Sequence, residues 1–115
     1  MSYWVYLEKG GGPVNVPTHT EGGTYAVGGI NKAEINITWN YSKYYYRHLD
    51  EEDGIRWLHG KVARDTIERL ALAVLILGTE RDDDYWASTP GNAGYALSIL
   101  LGWAREYPDA EWRVS

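Results

Sequence analysis

AEINITWNY, residues 33–41, sets the reading of the whole chain. Ile35, Ile37, Trp39 and Tyr41 fall on one parity, and Glu34, Asn36, Thr38 and Asn40 on the other. Strict alternation predicts a nine-residue strand, Ala33 to Tyr41, with one apolar and one polar face. The apolar parity is expected to meet helices. The polar parity is unusual, because Asn is a poor strand residue. Two short amides, a hydroxyl and a carboxylate can fix the orientation of a ligand in a pocket. They can equally meet solvent, as one face of an antiparallel sheet commonly does.

Upstream the period stays near 2. Tyr3 to Glu8 reads as a first strand, Lys9 to Pro13 as a turn, and Val14 to Pro17 as a short second strand in a hairpin with the first. Thr24 to Val27 reads as another short strand before Gly28-Gly29. Downstream the period becomes 3.6. Asp50 to His59 is expected as a short helix with Asp50 as N-cap and Gly60 as stop. A second helix is expected from about Arg64 to Leu77, opened by a capping box of Asp65 and Glu68 and closed by Gly78. Thr89-Pro90 opens a third, which Pro108 ends. Glu111 to Val114 reads as a C-terminal edge strand. Strands followed by helices predict a single α+β domain over 1–115: a small, mainly antiparallel sheet with about three helices on one face.

Composition narrows the function. With 11 basic and 16 acidic residues the net charge is −5, which disfavours duplex nucleic acid as a partner. There is no Cys, so no disulfide, thiolate metal site or Cys nucleophile is available. No signal peptide is visible at Met1 to Val5, and the longest apolar run, Leu70 to Leu77, is far too short for a bilayer. A cytoplasmic protein that uses neither membrane nor cofactor is expected. That same run is apolar around nearly the whole helix, which predicts a homodimer or larger with Leu70 to Leu77 partly at the interface. Six Trp and ten Tyr against no Phe point to rings that keep a polar handle, as ligand and partner surfaces use.

No catalytic signature emerges. His19 and Glu21 lie close together beside Gly22-Gly23, and would be the catalytic residues of an enzyme. They lack the further ligands a metal needs. Asp82-Asp83-Asp84 offers carboxylates for a hard cation but lacks the spacing and the Gly of an EF-hand, and reads first as a solvated loop before a helix. The Gly pairs at 22–23 and 28–29 fit neither phosphate-binding fingerprint and read as turns.

The string His19-Thr20-Glu21-Gly22-Gly23-Thr24-Tyr25, then Gly28-Gly29, then Ala33 to Tyr41, resembles a group of short phage and prophage proteins. Asp83-Asp84-Tyr85-Trp86, Thr89 and Gly91-Asn92-Ala93 agree with it, so the resemblance spans nearly the whole chain. It implies work in the cytoplasm of an infected host cell. By analogy it implies anti-defence activity, such as sequestering the cyclic nucleotide or cyclic ADP-ribose signals of CBASS and Thoeris systems.

A nucleotide-like ligand is compatible with the residues. Tyr25, Tyr85 and Trp86 offer stacking rings, each worth ~1–3 kcal/mol. Asn36, Thr38, Asn40 and Asn92 offer edge recognition, with His19, Glu21 and Thr24 nearby in sequence. Phosphate could rest at the helix start after Thr89, or near Lys43 and Arg47. Three classes stay open: a binder that sequesters a small nucleotide signal, an anti-CRISPR-like inhibitor of a host protein acting through its Trp/Tyr surface, and a small hydrolase using His19 and Glu21.

Overall fold

The computed structural model describes residues 1–19 and 30–115. Its centre is strand β1, Ser2–Lys9, whose Tyr3, Val5 and Leu7 are buried while Trp4, Tyr6 and Glu8 point the other way. Gly10 and Gly11, at φ 68° and 93°, turn the chain back into β2, Gly12–Pro13. Two consecutive positive φ values make the primed hairpin turn that matches strand twist, and glycine adopts them without strain.

The segment expected as a hairpin partner of β1 continues elsewhere. Asn15–His19 forms β3, which pairs with β4, Ile30–Lys32, in a separate two-stranded sheet. The main sheet is completed by β5, Glu34–Thr38, and β6, Glu111–Val114, both antiparallel to β1. As expected, β6 is the last strand of the sheet. Its outer side is covered, because Trp112 exchanges backbone hydrogen bonds with Gly60 and Lys61 and Val62 bridges to Glu111. Covering an edge in this way removes a template for unwanted pairing.

Two expectations need correction. The strand read over Ala33 to Tyr41 stops at Thr38, and residues Trp39–Tyr41 form a 3-10 turn. The cause is Thr38 itself: it is buried, and its hydroxyl accepts from the Asn40 N–H at 3.2 Å, capping the turn. Parity is lost there, so Trp39 is 40% exposed and Tyr41 buried. The helix expected over Asp50 to His59 is a 3-10 segment, Gly54–Leu58. Gly54 sits at φ 57°, which no α-helix interior admits. Asp50 caps a turn instead, accepting from the N–H groups of Glu52 and Asp53.

Three helices pack on the face formed by Val5, Leu7, Ile35, Ile37, Trp112 and Val114. The first, α1, is Ser42–His48, in the tyrosine-rich stretch that sequence left unassigned. The second, α2, is Ile67–Leu77, ended by Gly78 at φ 76°. It follows a 3-10 turn, Ala63–Thr66, and the Asp65/Glu68 box caps nothing. The Thr66 hydroxyl instead joins two layers, donating to the Ala63 carbonyl and accepting the Trp112 indole N–H at 2.9 Å. The third, α3, is Pro90–Glu106, with Thr89 as the expected N-cap accepting from Asn92 N–H. It packs along α2 closely enough that a Cβ on Gly94 would lie 1.8 Å from the Gly78 carbonyl oxygen. No helix is long and apolar enough to cross a membrane among the described residues.

Candidate recognition surface

The loop between α2 and α3 is organised by one side chain. Asn92, buried in the first turn of α3, accepts the Asp82 N–H at 2.9 Å and donates to the carbonyls of Asp84 and Ala87, both at 3.0 Å. One amide thus uses acceptor and both donors to fold the acidic stretch over the helix start. The aspartates complete the job locally. Asp82 accepts from Asp84 N–H and Asp84 from Trp86 N–H, the side-chain turns typical of Asp. Thr89 holds the helix start, its hydroxyl taking Asn92 N–H and its carbonyl Ala93 N–H.

The loop is then stapled to the segment after β5. Asn40 donates to the Trp86 carbonyl at 2.8 Å, and Ser88 donates to the Asn40 carbonyl at 2.8 Å. Tyr44 reaches the Ser88 carbonyl, Tyr41 the Tyr85 carbonyl, and Tyr85 the Asn36 carbonyl. Beneath them Tyr45 donates to the Ala93 carbonyl at 3.0 Å. Burial pushes the Tyr45 phenol well above the usual tyrosine range, and Tyr41, Tyr85 and Tyr3 add to the rise. Tyr41 meets both Tyr45 and Tyr85 edge to face, the favoured geometry for ring pairs.

These contacts locate the residues that sequence singled out. Asn36 lies on the outer sheet face, donating to Ser2 Oγ at 2.6 Å and to the Tyr3 carbonyl. Thr38 is buried at its turn, while Asn40 and Asn92 are structural staples. The four do not share one wall. Tyr85 is half-buried in the ring cluster and Trp86 is 52% exposed, edge-on to Tyr85 at 5.0 Å. Lys43 and Arg47 are exposed on α1, with the Lys43 ammonium 5.1 Å from the Tyr44 ring centre. The expectations for Glu21, Thr24 and Tyr25, and for the His19 side chain, lie outside the described residues.

Two concavities adjoin this staple. A recess lined by Ile35, Tyr41, Arg81, Asp82, Tyr85 and Tyr95 holds about 50 Å³, room for a few waters. A wider groove of about 410 Å³ runs past Leu77, Gly78, Glu80, Arg81, Thr89 and Pro90. The anion seat expected at the start of α3 is crowded, since a Cβ on Gly91 would lie 1.8 Å from the Glu80 carbonyl oxygen. Glu80 and Asp82 line the groove beside it together with Arg81, whose guanidinium lies 4.5 Å from the Tyr95 ring centre. The described residues contain no cluster of three or more His, Asp or Glu placed to hold a metal.

What remains open to a partner is aromatic and acidic. Trp39 and Trp86 are both exposed, their backbones linked through the Asn40 staple, and Tyr3 lies 5.9 Å from Trp39 between ring centres. Sequence reasoning missed Trp39, because strict alternation assigned it to the core. The signal that could have found it is Thr38, a good cap residue immediately before Trp39-Asn40. No protein-family model, curated protein or solved structure matches the chain.

Proposed function

We propose that the chain is a phage-type anti-defence protein that acts by binding, as a homodimer or larger, in the cytoplasm of the infected host cell. Its target is a host protein with a basic surface. The observation that carries this reading is the exposure of Trp39 and Trp86, whose backbones are linked through Asn40, with the acidic Glu80–Asp84 stretch leading into Trp86. Exposed tryptophans on a hydrogen-bonded frame are the residue type that dominates interface energies. The neighbouring carboxylates favour a cationic partner and steer its approach. Asn36, Thr38, Asn40 and Asn92, four of the polar groups expected to read a ligand, already bond within the protein, which supports a protein partner over a small one.

The second reading, sequestration of a small nucleotide-type signal, draws support from the 410 Å³ groove, which lies in the size range of small-molecule sites. The carboxylates along that groove oppose a phosphate.

One experiment separates the two. The protein is incubated with a panel of cyclic nucleotides and with host extract, washed, and denatured. A basic host protein retained by wild type and lost with Trp39→Ala/Trp86→Ala supports the first reading. Intact nucleotide released on denaturation, with no protein dependent on the tryptophans, overturns it in favour of the second.

A further inference from the structure

The outward side of α2 carries the largest aliphatic exposure in the described molecule. Leu75 is 79% exposed, Ile76 56% and Leu72 55%, while Leu70, Ala73 and Leu77 face the core. At helical spacing Glu68, Leu72 and Leu75 form one stripe, with Ile76 beside it, and the helix ends at Leu77. The stripe is polar at its start and apolar beyond. Beside Leu72 runs a groove of about 320 Å³, lined by Trp57, Asp65, Glu68, Arg69 and Leu72. Its wall is firm: the Arg69 guanidinium lies 4.4 Å from the Trp57 ring centre and donates to the Leu49 carbonyl, and Lys61 approaches the same ring at 4.8 Å.

A projecting Leu75–Ile76 pair and a groove beside Leu72 lie on the same helix, about one turn apart. That spacing is self-complementary under a two-fold axis. With α2 antiparallel to its mate and the axis between residues 73 and 74, Leu72 meets the partner's Leu75. Each Leu75–Ile76 pair then enters the groove beside the partner's Leu72. A heterologous partner would have to supply both features separately, whereas a second copy supplies both by symmetry.

We infer that α2 is the two-fold interface of a homodimer, built by Leu72, Leu75 and Ile76 of each copy docking beside the other's Trp57. This deepens the self-association proposed above and is independent of what Trp39 and Trp86 bind. The aliphatic patch alone is small beside the ~800 Å² per partner of a standard interface, so association in the micromolar range is expected.

The test is sedimentation velocity from about 1 to 300 µM, a range chosen to span micromolar dissociation constants, on wild type, Leu75→Glu and Trp86→Ala. The inference expects wild type and Trp86→Ala to dimerise alike. It expects Leu75→Glu, with an unchanged melting temperature, to weaken dimerisation at least about tenfold, because it places a carboxylate in the apolar contact. The chain has no Cys, so a mixture of Leu72→Cys and Leu75→Cys proteins with a short bismaleimide gives a second readout: cross-linked heterodimer in excess of either variant alone. A wild type that stays monomeric overturns both the interface and self-association. Equal dimerisation by Leu75→Glu, or no heterodimer excess, overturns this interface and leaves self-association through another face.

Discussion

α2 and α3 lie against each other and are both rich in apolar residues, yet they treat those residues oppositely. α3 buries small ones, Gly91, Ala93, Gly94, Ala96 and Ala104, together with leucines at helical spacing, and lets backbone come against backbone. α2 fully buries only Leu70, Ala73 and Leu77, half-buries Ile67, Ala71 and Val74, and turns Leu72, Leu75 and Ile76 outward. The difference teaches that apolar content does not by itself locate the core. Small residues mark the helix that the fold is packed around, and an all-round large aliphatic helix has a side left for something else.

The largest expected effect tests the close approach. Gly94→Ala puts a Cβ into the Gly78 carbonyl and is expected to cost about 4 kcal/mol or prevent folding. Gly102→Ala, in the same helix with open space around it, is expected to stabilise by about 0.5–1 kcal/mol. Urea unfolding of the two variants checks both signs. If both change stability alike, glycine acts here through chain entropy and not through packing.

Next comes the contrast within α2. Leu70→Ala removes a fully buried side chain and is expected to cost roughly 3 kcal/mol. Leu75→Ala, measured at a concentration where the chain is monomeric, should stay within about 0.5 kcal/mol of wild type. A large loss from Leu75→Ala in the monomer would place that residue in the core of its own chain.

The polar staple gives a middle-sized effect. Asn92→Ala leaves the Asp82 N–H and the Asp84 and Ala87 carbonyls without that partner and is expected to cost about 2 kcal/mol. Hydrogen exchange at Asp82 should rise in the same variant.

Tyr45 gives the smallest effect and a pH signature. Its folded pKa stands above the unfolded value near 10, so the neutral phenol's contribution is full below about pH 10. It is lost as pH climbs from there through the folded value, because only the unfolded chain then releases the proton. Tyr45→Phe should cost about 1 kcal/mol at neutral pH and flatten the alkaline fall in melting temperature.

Much of this architecture was legible. Alternation located β1 and the buried Ile35 and Ile37, Gly78 marked the end of α2, Thr89-Pro90 marked the start of α3, and Glu111 to Val114 is a strand. The strand end at Thr38 was hidden, since a residue compatible with continued alternation used its hydroxyl to cap a turn. α1 was hidden because aromatic residues favour strands in isolation, and only packing of Tyr45 against α3 decides for helix. The amides were misread for a deeper reason. An Asn that orients a ligand and an Asn that orients a loop carbonyl present the same chemistry, and sequence does not say which acceptor is in reach.

The central claim is that the polar residues hold the loop while the tryptophans beside it are free for recognition. The most direct measurement pairs a melting curve with binding of the proposed basic host protein for Trp39→Ala/Trp86→Ala. The account predicts a melting temperature close to wild type, because both rings are substantially exposed, and loss of the partner. A clearly lowered melting temperature with the partner still bound would contradict it, returning the tryptophans to the fold and leaving recognition elsewhere.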